Sequence, residues 1–277
     1  MARRQRIVYP GSLHHITARG IGRRTLFVDD DDRRAFLHSL ALVVRDADWS
    51  CHCFCLMGNH FHLLVQTGSR GLTPGMHRLQ TRCAQRYNRL YGVTGHVFDR
   101  RFANQLVTRG EHLFELVRYI HLNPVRARLC THPSAWAWSS FRAIAGIDPA
   151  PGFLSAEGAL GLFGRDEQSA RAAFVRFVED GMTVVDPPHP DTLARPSLAE
   201  LVRSLGLEGG LLAYLCHGYR QPEIAAALGM SCTNFRRELQ RRPGFVPGTD
   251  LFSRALADRG PGLEAVTRQG SAAAMAK

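Results

Sequence analysis

Two histidines separated by one residue, His60 and His62, are the side chains of this chain best suited to hold a metal ion. The surrounding residues, 51–66, predict two strands joined by a turn at 57–59. Because successive side chains of a strand point to opposite faces, the two imidazoles share one face and Phe61 occupies the other. Two neutral imidazoles side by side supply half of a divalent-metal site, although an isolated pair of this kind on a strand is more often simply solvated or partly buried.

Tyr119 and Asn123 lie four residues apart in a helical pattern over residues 110–123, so both project from one helix face. If that face meets the histidines, the Asn123 oxygen completes the metal site and Tyr119 lies beside the ion. A divalent ion withdraws charge from a phosphate oxygen, and a tyrosine beside it can attack the phosphorus. The combination predicts cleavage of a nucleic-acid backbone through a tyrosyl-phosphate bond.

Two alternatives remain open at this point. Tyr87 and Tyr91 also share a helix face and could serve as a pair of nucleophiles, although packing explains both equally well. Hydrolysis by an activated water would need a general base near the histidines, and the sequence does not single one out.

The charge of the chain favours a polyanionic partner. It carries 35 basic and 24 acidic residues, for a formal net charge of +11. Nearly all of the positive charge is arginine, since the only lysine is Lys277. Arginine forms bidentate contacts with phosphate and stacks on bases, so nucleic acid is the expected partner.

The cysteines and the apolar runs indicate a reduced, cytoplasmic protein with no membrane partner. Seven cysteines form an odd set, and the basic residues 1–6 lead into an apolar stretch too short for a secretory signal. No apolar run approaches the roughly 18 residues of a membrane span. Cys51, Cys53 and Cys55 lack zinc-ligand spacing, so we interpret them as small buried apolar residues.

The apolar patterns predict an α+β fold with the element order β-α-β-β-α-β-α. The segments are a strand at 11–19, a helix from the acidic cluster 29–32 to Arg45, the strands around the histidines, a helix at 72–91, a strand at 95–107 and a helix at 110–123. This order resembles the split βαβ, ferredoxin-like plan. Pro124 is expected to end the last helix at Asn123.

Several motifs occur in an order that resembles one protein family. They are His15-Ile-Thr-Ala-Arg-Gly20, Cys55-Leu-Met-Gly-Asn-His-Phe-His-Leu-Leu-Val65, Gly95-His-Val-Phe98, Arg101-Phe102, Arg118-Tyr-Ile-His-Leu-Asn-Pro-Val-Arg-Ala127 and Trp138-Ser-Ser140. Over about residues 8–180 the chain resembles the single-tyrosine transposases of the HUH (His-hydrophobic-His) superfamily, and most of all the REP-associated tyrosine transposases. The resemblance implies that His60 and His62 are metal ligands, that Asn123 completes the metal site and that Tyr119 is the nucleophile.

The resemblance also implies a substrate, a cofactor and a reaction. The substrate would be single-stranded DNA folded into hairpins, the cofactor Mg²⁺ or Mn²⁺, and the reaction DNA transposition through a 5′-phosphotyrosine intermediate, by a monomer or a homodimer. The alternative is a transposase-derived transcriptional regulator that binds DNA without cutting it. The chain departs from the family at Gly58, where proline is usual, and at Ile21-Gly22, where asparagine is common.

Five regions are expected along the chain. They are an HUH transposase domain (1–145), a helical family extension (146–182), a proline-rich linker (183–196), a helix-turn-helix-like DNA-binding domain (197–246) and a flexible tail (247–277).

The helix-turn-helix prediction depends on residues 211–242. A short helix at 222–228, Gly229 in the turn and Ser231 as a cap would precede a second helix with Phe235 and Leu239 inward. The residues expected to face duplex DNA are Thr233, Asn234, Arg236, Arg237 and Arg241. A small bundle that only packs against the first domain is the alternative. In the first domain the expected phosphate contacts are Arg19, Arg100, Arg101, Arg118 and Arg126.

Overall fold

In the computed structural model, the buried side chains of the described residues form two hydrophobic cores. The residues that the structure describes are 8, 10–107, 110–183, 197–215, 219 and 221–241. One core collects buried side chains from residues 13–178, and the other from residues 201–235. The expected linker, apart from residue 183, and the expected tail lie outside the described residues, as do 242–246 of the expected C-terminal domain.

The bounds of the regular elements are as follows. The strands are β1 (Leu13–Arg19), β2 (Ser50–Leu56), β3 (His60–Gln66) and β4 (Ala103–Leu106). The helices are α1 (Asp30–Ala47), α2 (Thr73–Tyr91), α3 (Gly110–Arg126), α4 (Phe141–Ile144), α5 (Ala156–Leu160), α6 (Glu167–Asp180), α7 (Leu198–Leu215), α8 (Gln221–Ala227) and α9 (Cys232–Arg241).

The four strands form one antiparallel sheet in the order β2-β3-β1-β4. The fold is therefore mixed, with helices packed on a four-stranded antiparallel sheet, and the expected order β-α-β-β-α-β-α is present from β1 to α3. Because β1 and β3 are central neighbours, Thr17 pairs with His62 and Arg19 pairs with His60. The histidine pair consequently lies beside the end of β1.

Helices α1 and α2 cover one face of the sheet. Helix α1 begins at its acidic cluster, where the Asp29 carboxylate accepts a hydrogen bond from the Asp32 backbone N–H at 2.9 Å. Three aspartates in the first turn also complement the positive end of the helix dipole. The Phe36 ring of α1 packs on Phe61 of β3 with ring centroids 4.7 Å apart. The odd-numbered residues of β3 thus point to this face, which leaves the even-numbered histidines on the other.

Helix α3 covers the opposite face and continues past the proline that was expected to end it. Asn123 was predicted to be the last residue, but the helix runs to Arg126 with Pro124 inside it. The prediction was wrong because proline removes a single N–H donor near the helix end, while the next turn still forms. The Ala127 N–H donates to the Asn123 carbonyl at 2.9 Å, and the Leu129 N–H donates to the Pro124 carbonyl at 2.9 Å.

The strand predicted at 95–107 is much shorter than expected. Only the last part is β4, and the preceding residues contact β1 through an isolated bridge between Gly20 and Phe98. The Asp99 N–H donates to the Arg19 carbonyl at 3.0 Å. This irregular segment therefore crosses the end of β1 instead of extending the sheet.

The residues after α3 return to β2 and hold α3 in place. The Leu56 N–H donates to the Trp138 carbonyl at 2.8 Å, and the Phe54 N–H donates to Ser140 Oγ at 3.0 Å. The same Ser140 hydroxyl lies 2.8 Å from Nε2 of His121, a fully buried residue of α3. Further along, Leu160, Phe174 and Val178 belong to the same core as the sheet.

The second core is built from α7, α8 and α9. Leu211, Ile224 and Phe235 are each fully buried in it. Gly229 adopts a left-handed conformation (φ 65°) between α8 and α9, and Ser231 Oγ accepts a hydrogen bond from the Asn234 N–H at 3.2 Å. The side chain of Leu239 lies outside the described part of the structure. None of the helices in the described ranges combines the length and apolar character needed to span a membrane.

Candidate active site

His60 and His62 lie next to each other on the face of β3 that α3 covers. Their ring centroids are 5.0 Å apart and their planes are nearly perpendicular. His62 is buried, whereas His60 at the start of the strand is partly exposed. This arrangement follows from the two-residue period of a strand and agrees with the prediction that the imidazoles share a face.

A third histidine, His15 of β1, contacts this pair. Its Nε2 lies 3.0 Å from Nδ1 of His62, and the two rings are stacked with centroids 5.3 Å apart. The sequence analysis did not assign His15 to the site. His15 lies two residues before Thr17 and four before Arg19, so all three side chains share one face of β1. The register between β1 and β3 then brings His15 to His62, and that register cannot be predicted from the spacing within β1.

Hydrogen bonds fix which nitrogen of His60 can bind a metal. The Asn59 amide nitrogen donates to the Arg23 carbonyl at 3.1 Å, so the Asn59 amide oxygen is the atom that faces His60. That oxygen lies 2.7 Å from His60 Nδ1 and accepts its proton. His60 Nε2 therefore keeps its lone pair. Burial, and then the positive charge of Arg19, lower the pKa of His60 to about 4, so the ring is neutral at pH 7.

His62 is oriented in the same manner by partners on both sides. Its Nε2 lies 3.3 Å from the Asn123 amide nitrogen, which can only donate. With the Asn123 amide in this orientation, His62 Nε2 is the acceptor and its Nδ1–H donates to His15 Nε2. Outer hydrogen bonds of this type hold metal-binding histidines in one tautomer and one orientation.

The donor atoms are compatible with a divalent ion that has open coordination positions. The Asn123 amide nitrogen lies 3.3 Å from His62 Nε2, and the Asn123 side chain also partly offsets the lowering of the His60 pKa, so it lies near both imidazoles. A simple rotation would exchange its nitrogen and oxygen. Two imidazole nitrogens and an amide oxygen suit several divalent metals. Within the described ranges, no three side chains from His, Cys, Asp and Glu are grouped to hold a metal ion, so such a site would depend on Asn123.

Tyr119 packs edge-on against the histidines. Its ring centroid is 5.4 Å from that of His62 and 6.3 Å from that of His15, in both cases nearly perpendicular. On its other side the Arg126 guanidinium lies 5.7 Å from the ring centroid. The helical spacing of Tyr119 and Asn123 thus brings both side chains to His62, as the sequence suggested.

An open pocket of about 190 Å³ exposes this cluster to solvent. Its walls come from β1, β3, β4, α3 and the irregular segment before β4. The lining residues are Thr17, Ala18, Arg19, His60, His62, Asp99, Arg100, Arg101, Ala103 and Tyr119. Three arginines predicted to contact phosphate therefore surround the histidines and the tyrosine. Asp99 and Thr17 were not predicted, because their place depends on the path of residues 95–102 and on the register of the sheet.

The other two arginines of the first domain are placed differently. Arg118 donates from Nε to the Phe177 carbonyl at 3.0 Å, pairs with Glu115 at 2.7 Å and lies 3.8 Å from the Phe177 ring centroid. It therefore attaches α6 to α3 and does not line the pocket. Arg126 is partly buried against Tyr119, and burial lowers the pKa of its guanidinium.

The alternative tyrosines lie outside this cluster, on α2. The Tyr91 hydroxyl donates to the Asp32 carboxylate at 2.6 Å, and this hydrogen bond raises the pKa of Tyr91 to about 12. The Tyr87 ring is largely buried against Tyr91. Tyr91 thus joins α2 to α1, and its raised pKa makes it a poorer nucleophile.

The strand cysteines are inert. Cys51, Cys53 and Cys55 are fully buried, and burial raises the pKa of each thiol, that of Cys51 to about 12. Unreactive buried thiols agree with their interpretation as small apolar residues.

The residues expected to contact duplex DNA lie on α9. All are exposed while Phe235 of the same helix is buried, which gives the helix one polar and one apolar face. The exposed residues are Thr233, Asn234, Arg236, Arg237 and Arg241.

The chain was compared with family models, curated proteins and solved structures. No family model matches the chain, and no curated protein is significantly similar to it. A similar solved structure is that of a REP-associated tyrosine transposase bound to a REP hairpin. It is 17% identical in sequence with a TM-score of 0.47, and the match covers 56% of this chain and 92% of that one.

Proposed function

We propose that this chain is a metal-dependent single-stranded DNA endonuclease and strand transferase that acts on hairpin-forming, REP-like DNA in transposition. One observation carries the proposal. The Tyr119 and His62 ring centroids lie 5.4 Å apart in a pocket lined by arginines, and Nε2 of His62 lies 3.3 Å from the Asn123 amide nitrogen. A potential nucleophile, a potential metal site and phosphate-binding cations thus meet at one point.

Binding of the DNA backbone is the first task of the pocket. Arg19, Arg100 and Arg101 bring three positive charges to its wall, against the single negative charge of Asp99. Planar guanidinium groups form bidentate hydrogen bonds with phosphate oxygens. They would hold the strand with one phosphate facing His60 and His62.

Cleavage follows from attack by Tyr119. Its phenolic oxygen bonds to the phosphorus in line with the 3′ oxygen, and the bond from phosphorus to that 3′ oxygen breaks. The phenolic proton is released, the 3′ oxygen takes up a proton, and the products are a 5′-phosphotyrosine and a free 3′ hydroxyl. The edge-on contact of Tyr119 with His62 and His15 limits the orientations of the ring before attack.

A divalent ion such as Mg²⁺ or Mn²⁺, held by His60, His62 and Asn123, would neutralise charge on the attacked phosphate. Both Nε2 atoms would be available as metal ligands, because Asn59 accepts the Nδ1 proton of His60 and His15 accepts the Nδ1 proton of His62.

Strand transfer is the reverse of cleavage on a different DNA end. The phosphotyrosine retains the energy of the phosphodiester, so a 3′ hydroxyl can attack it and release Tyr119 without ATP. The chain acts as a monomer or as a homodimer in which each active site draws on one chain or on both.

The finer organisation belongs to the same proposal. Residues 1–145 would be a ferredoxin-like HUH domain, 146–182 its helical extension, and 197–246 a helix-turn-helix-like domain joined by the linker 183–196 and followed by the tail 247–277. The polar face of α9 would bind duplex DNA. The protein would act in the cytoplasm.

Formation of a covalent adduct tests the proposal. The purified protein is incubated with end-labelled single-stranded hairpin DNA, including hairpins that flank its own gene, and with Mn²⁺. We expect an SDS-stable adduct that is lost in Tyr119→Phe and in His62→Ala. Tyr91→Phe is the matched control, because it removes a hydroxyl from the alternative site, and it should retain the adduct.

Either of two outcomes would contradict the proposal. An adduct that persists in Tyr119→Phe would exclude this tyrosine as nucleophile. Tight hairpin binding without any adduct, equally strong with and without metal, would favour the alternative of a transposase-derived transcriptional regulator without cleavage activity.

A further inference from the structure

The Arg126 guanidinium lies beside the candidate nucleophile but does not line the pocket in which the strand would bind. Its central carbon is 5.7 Å from the centroid of the Tyr119 ring. The pocket is lined by Arg19, Arg100 and Arg101, together with Tyr119 itself. The position of Arg126 therefore differs from that of the arginines that would hold the uncleaved strand.

The continuation of α3 past Pro124 places Arg126 on the same helix face as Tyr119. Seven residues are almost two complete turns, so the two side chains leave the helix in nearly the same direction. About 10 Å of helix separates the two Cα atoms. The long arginine side chain can span this distance because helical side chains tilt toward the N-terminus. The Ala127 N–H donates to the Asn123 carbonyl at 2.9 Å, which keeps this turn helical.

The charge of Arg126 has no paired carboxylate in the described part of the structure. Its guanidinium forms no ion pair and no hydrogen bond there. Glu115 attracts it, but the Glu115 carboxylate is already paired with Arg118 at 2.7 Å. The side chain is partly buried, and burial lowers the pKa of its guanidinium. Because burial of an unpaired charge costs free energy, an anion brought to Arg126 would be bound favourably.

The phosphate of the covalent intermediate is the anion that the proposed reaction brings to this place. Before cleavage the phosphate belongs to the strand in the pocket, and after attack it is esterified to the phenolic oxygen of Tyr119. The Arg126 charge interacts favourably with negative charge on that oxygen. A guanidinium can donate two parallel hydrogen bonds to the oxygens of one phosphate. The position and the chemistry of Arg126 therefore suit the product of cleavage.

We propose that Arg126 binds the phosphate of the phosphotyrosine intermediate and stabilises this intermediate relative to the uncleaved complex. The inference rests on the proposed function and adds to it a residue that acts after cleavage. Once the ester has formed on Tyr119, Arg126 donates to its non-bridging oxygens and keeps the phosphorus in place. A second 3′ hydroxyl then loses its proton and bonds to the phosphorus, the bond to the phenolic oxygen breaks, and that oxygen takes up a proton.

The equilibrium between uncleaved and covalently bound DNA in the full-length protein tests this inference. End-labelled hairpin DNA is incubated with Mn²⁺ and excess protein until the ratio of SDS-stable adduct to uncleaved DNA is constant. We expect Arg126→Gln to lower this ratio about 10- to 100-fold, the effect of losing a charged hydrogen bond. In a Tyr119→Phe background, which cannot form the adduct, Arg126→Gln should leave the affinity for the same hairpin unchanged.

Arg128→Gln is the matched control, because Arg128 is an exposed arginine two residues further along and its replacement removes the same charge. It should leave the ratio unchanged. Arg126→Lys retains the charge without the paired donors, so it should lower the ratio less than Arg126→Gln does. Phosphorus-31 NMR of the adduct gives a direct readout, since the phosphotyrosine resonance should shift in Arg126→Gln and not in Arg128→Gln.

The results separate this inference from the function on which it rests. If the wild-type protein forms the adduct and both Arg126 variants show the wild-type ratio, Arg126 does not act on the intermediate and the transferase stands. The same conclusion follows if Arg126→Gln weakens hairpin binding as much as it lowers the ratio, or if Arg128→Gln lowers the ratio equally. If the wild-type protein forms no adduct, both proposals are overturned.

Discussion

The capacity of the candidate site to bind a metal ion depends on the protonation of single ring nitrogens, the Nε2 atoms of His60 and His62. His62 is useful as a ligand only if Nε2 keeps its lone pair, and the structure achieves this through the 3.0 Å contact between its Nδ1 and His15. Asn59 does the same for His60. The site therefore depends on two residues that touch neither the substrate nor the metal in our account.

Replacement of His15 tests this dependence. We expect His15→Ala to lower the affinity for Mn²⁺ about 10- to 100-fold, because loss of an orienting partner typically has an effect of this size. Titration of the DNA-free protein with Mn²⁺, followed by electron paramagnetic resonance, measures it. His14→Ala is the matched control, since His14 is also buried but lies on the opposite face of β1, and it should leave the affinity unchanged. An unaltered affinity in His15→Ala would contradict the orienting role.

The buried His121 makes stability depend on pH. Burial lowers its pKa to about 4, whereas the unfolded chain binds a proton near pH 6.5. Between these values the unfolded state holds more protons, so stability falls as the pH falls from 6.5 to 4. For His121 the loss in the free energy of unfolding is at most about 3 kcal/mol at pH 4. Urea unfolding at several pH values measures it. Because burial also lowers the pKa of His14, His52 and His60 to about 4, His121→Gln should make the curve less steep without flattening it; an equally steep curve would contradict the contribution of His121.

At the level of elements, the site is assembled by two central strands and one helix. The sheet order places β1 beside β3, and α3 brings Tyr119 and Asn123 to the same face. The position of α3 in turn depends on the segment after it, through the Ser140–His121 contact and the packing of α6.

Arg118 is predicted to stabilise this packing rather than to bind DNA. Its hydrogen bond to Phe177, its contact with the Phe177 ring and its ion pair with Glu115 are only partly exposed. We expect Arg118→Ala to lower the free energy of unfolding by about 1–3 kcal/mol, as loss of a charged hydrogen bond and a cation–π contact would. Arg101→Ala, in the pocket, should weaken hairpin binding with little effect on stability. The reverse pattern in urea unfolding and hairpin binding would contradict these roles.

The periodicity of the sequence predicted the contacts within one element and missed those between elements. The strand period placed His60 and His62 together, and helical spacing placed Tyr119 with Asn123. The contact of His15 with His62 was not predicted, because it requires the β1–β3 register. The partners of Arg118 were not predicted because α6 lies beyond α4 and α5 along the chain, and helical spacing gives no contact over that separation. The strand at 95–107 was overestimated because alternating side chains do not report backbone pairing.

At the level of the whole molecule, we expect cleavage of hairpin DNA and binding of duplex DNA to belong to different hydrophobic cores. The first core carries the candidate active site, and the second carries the exposed arginines of α9. A net charge of +11 favours contacts with DNA phosphates regardless of sequence, so the salt dependence of binding is the informative quantity.

Replacement of Arg236 and Arg237 by alanine tests whether duplex binding by α9 is separate from adduct formation at the candidate active site. If both contact phosphates, the double variant should weaken duplex binding and reduce the slope of log affinity against log salt by about 2. Adduct formation with hairpin DNA should be retained, because the active-site residues are unchanged. Fluorescence anisotropy over a range of salt concentrations measures the slope, and an unchanged slope would indicate that α9 does not bind DNA.

The most direct test of the account is to identify the residue that carries the DNA. The covalent adduct is digested with nuclease and trypsin, and the modified peptide is sequenced by mass spectrometry. The account predicts a nucleotide attached through a 5′ phosphate to Tyr119. A nucleotide on Tyr87 or Tyr91, or cleaved DNA with a free 5′ phosphate and no modified peptide, would contradict it.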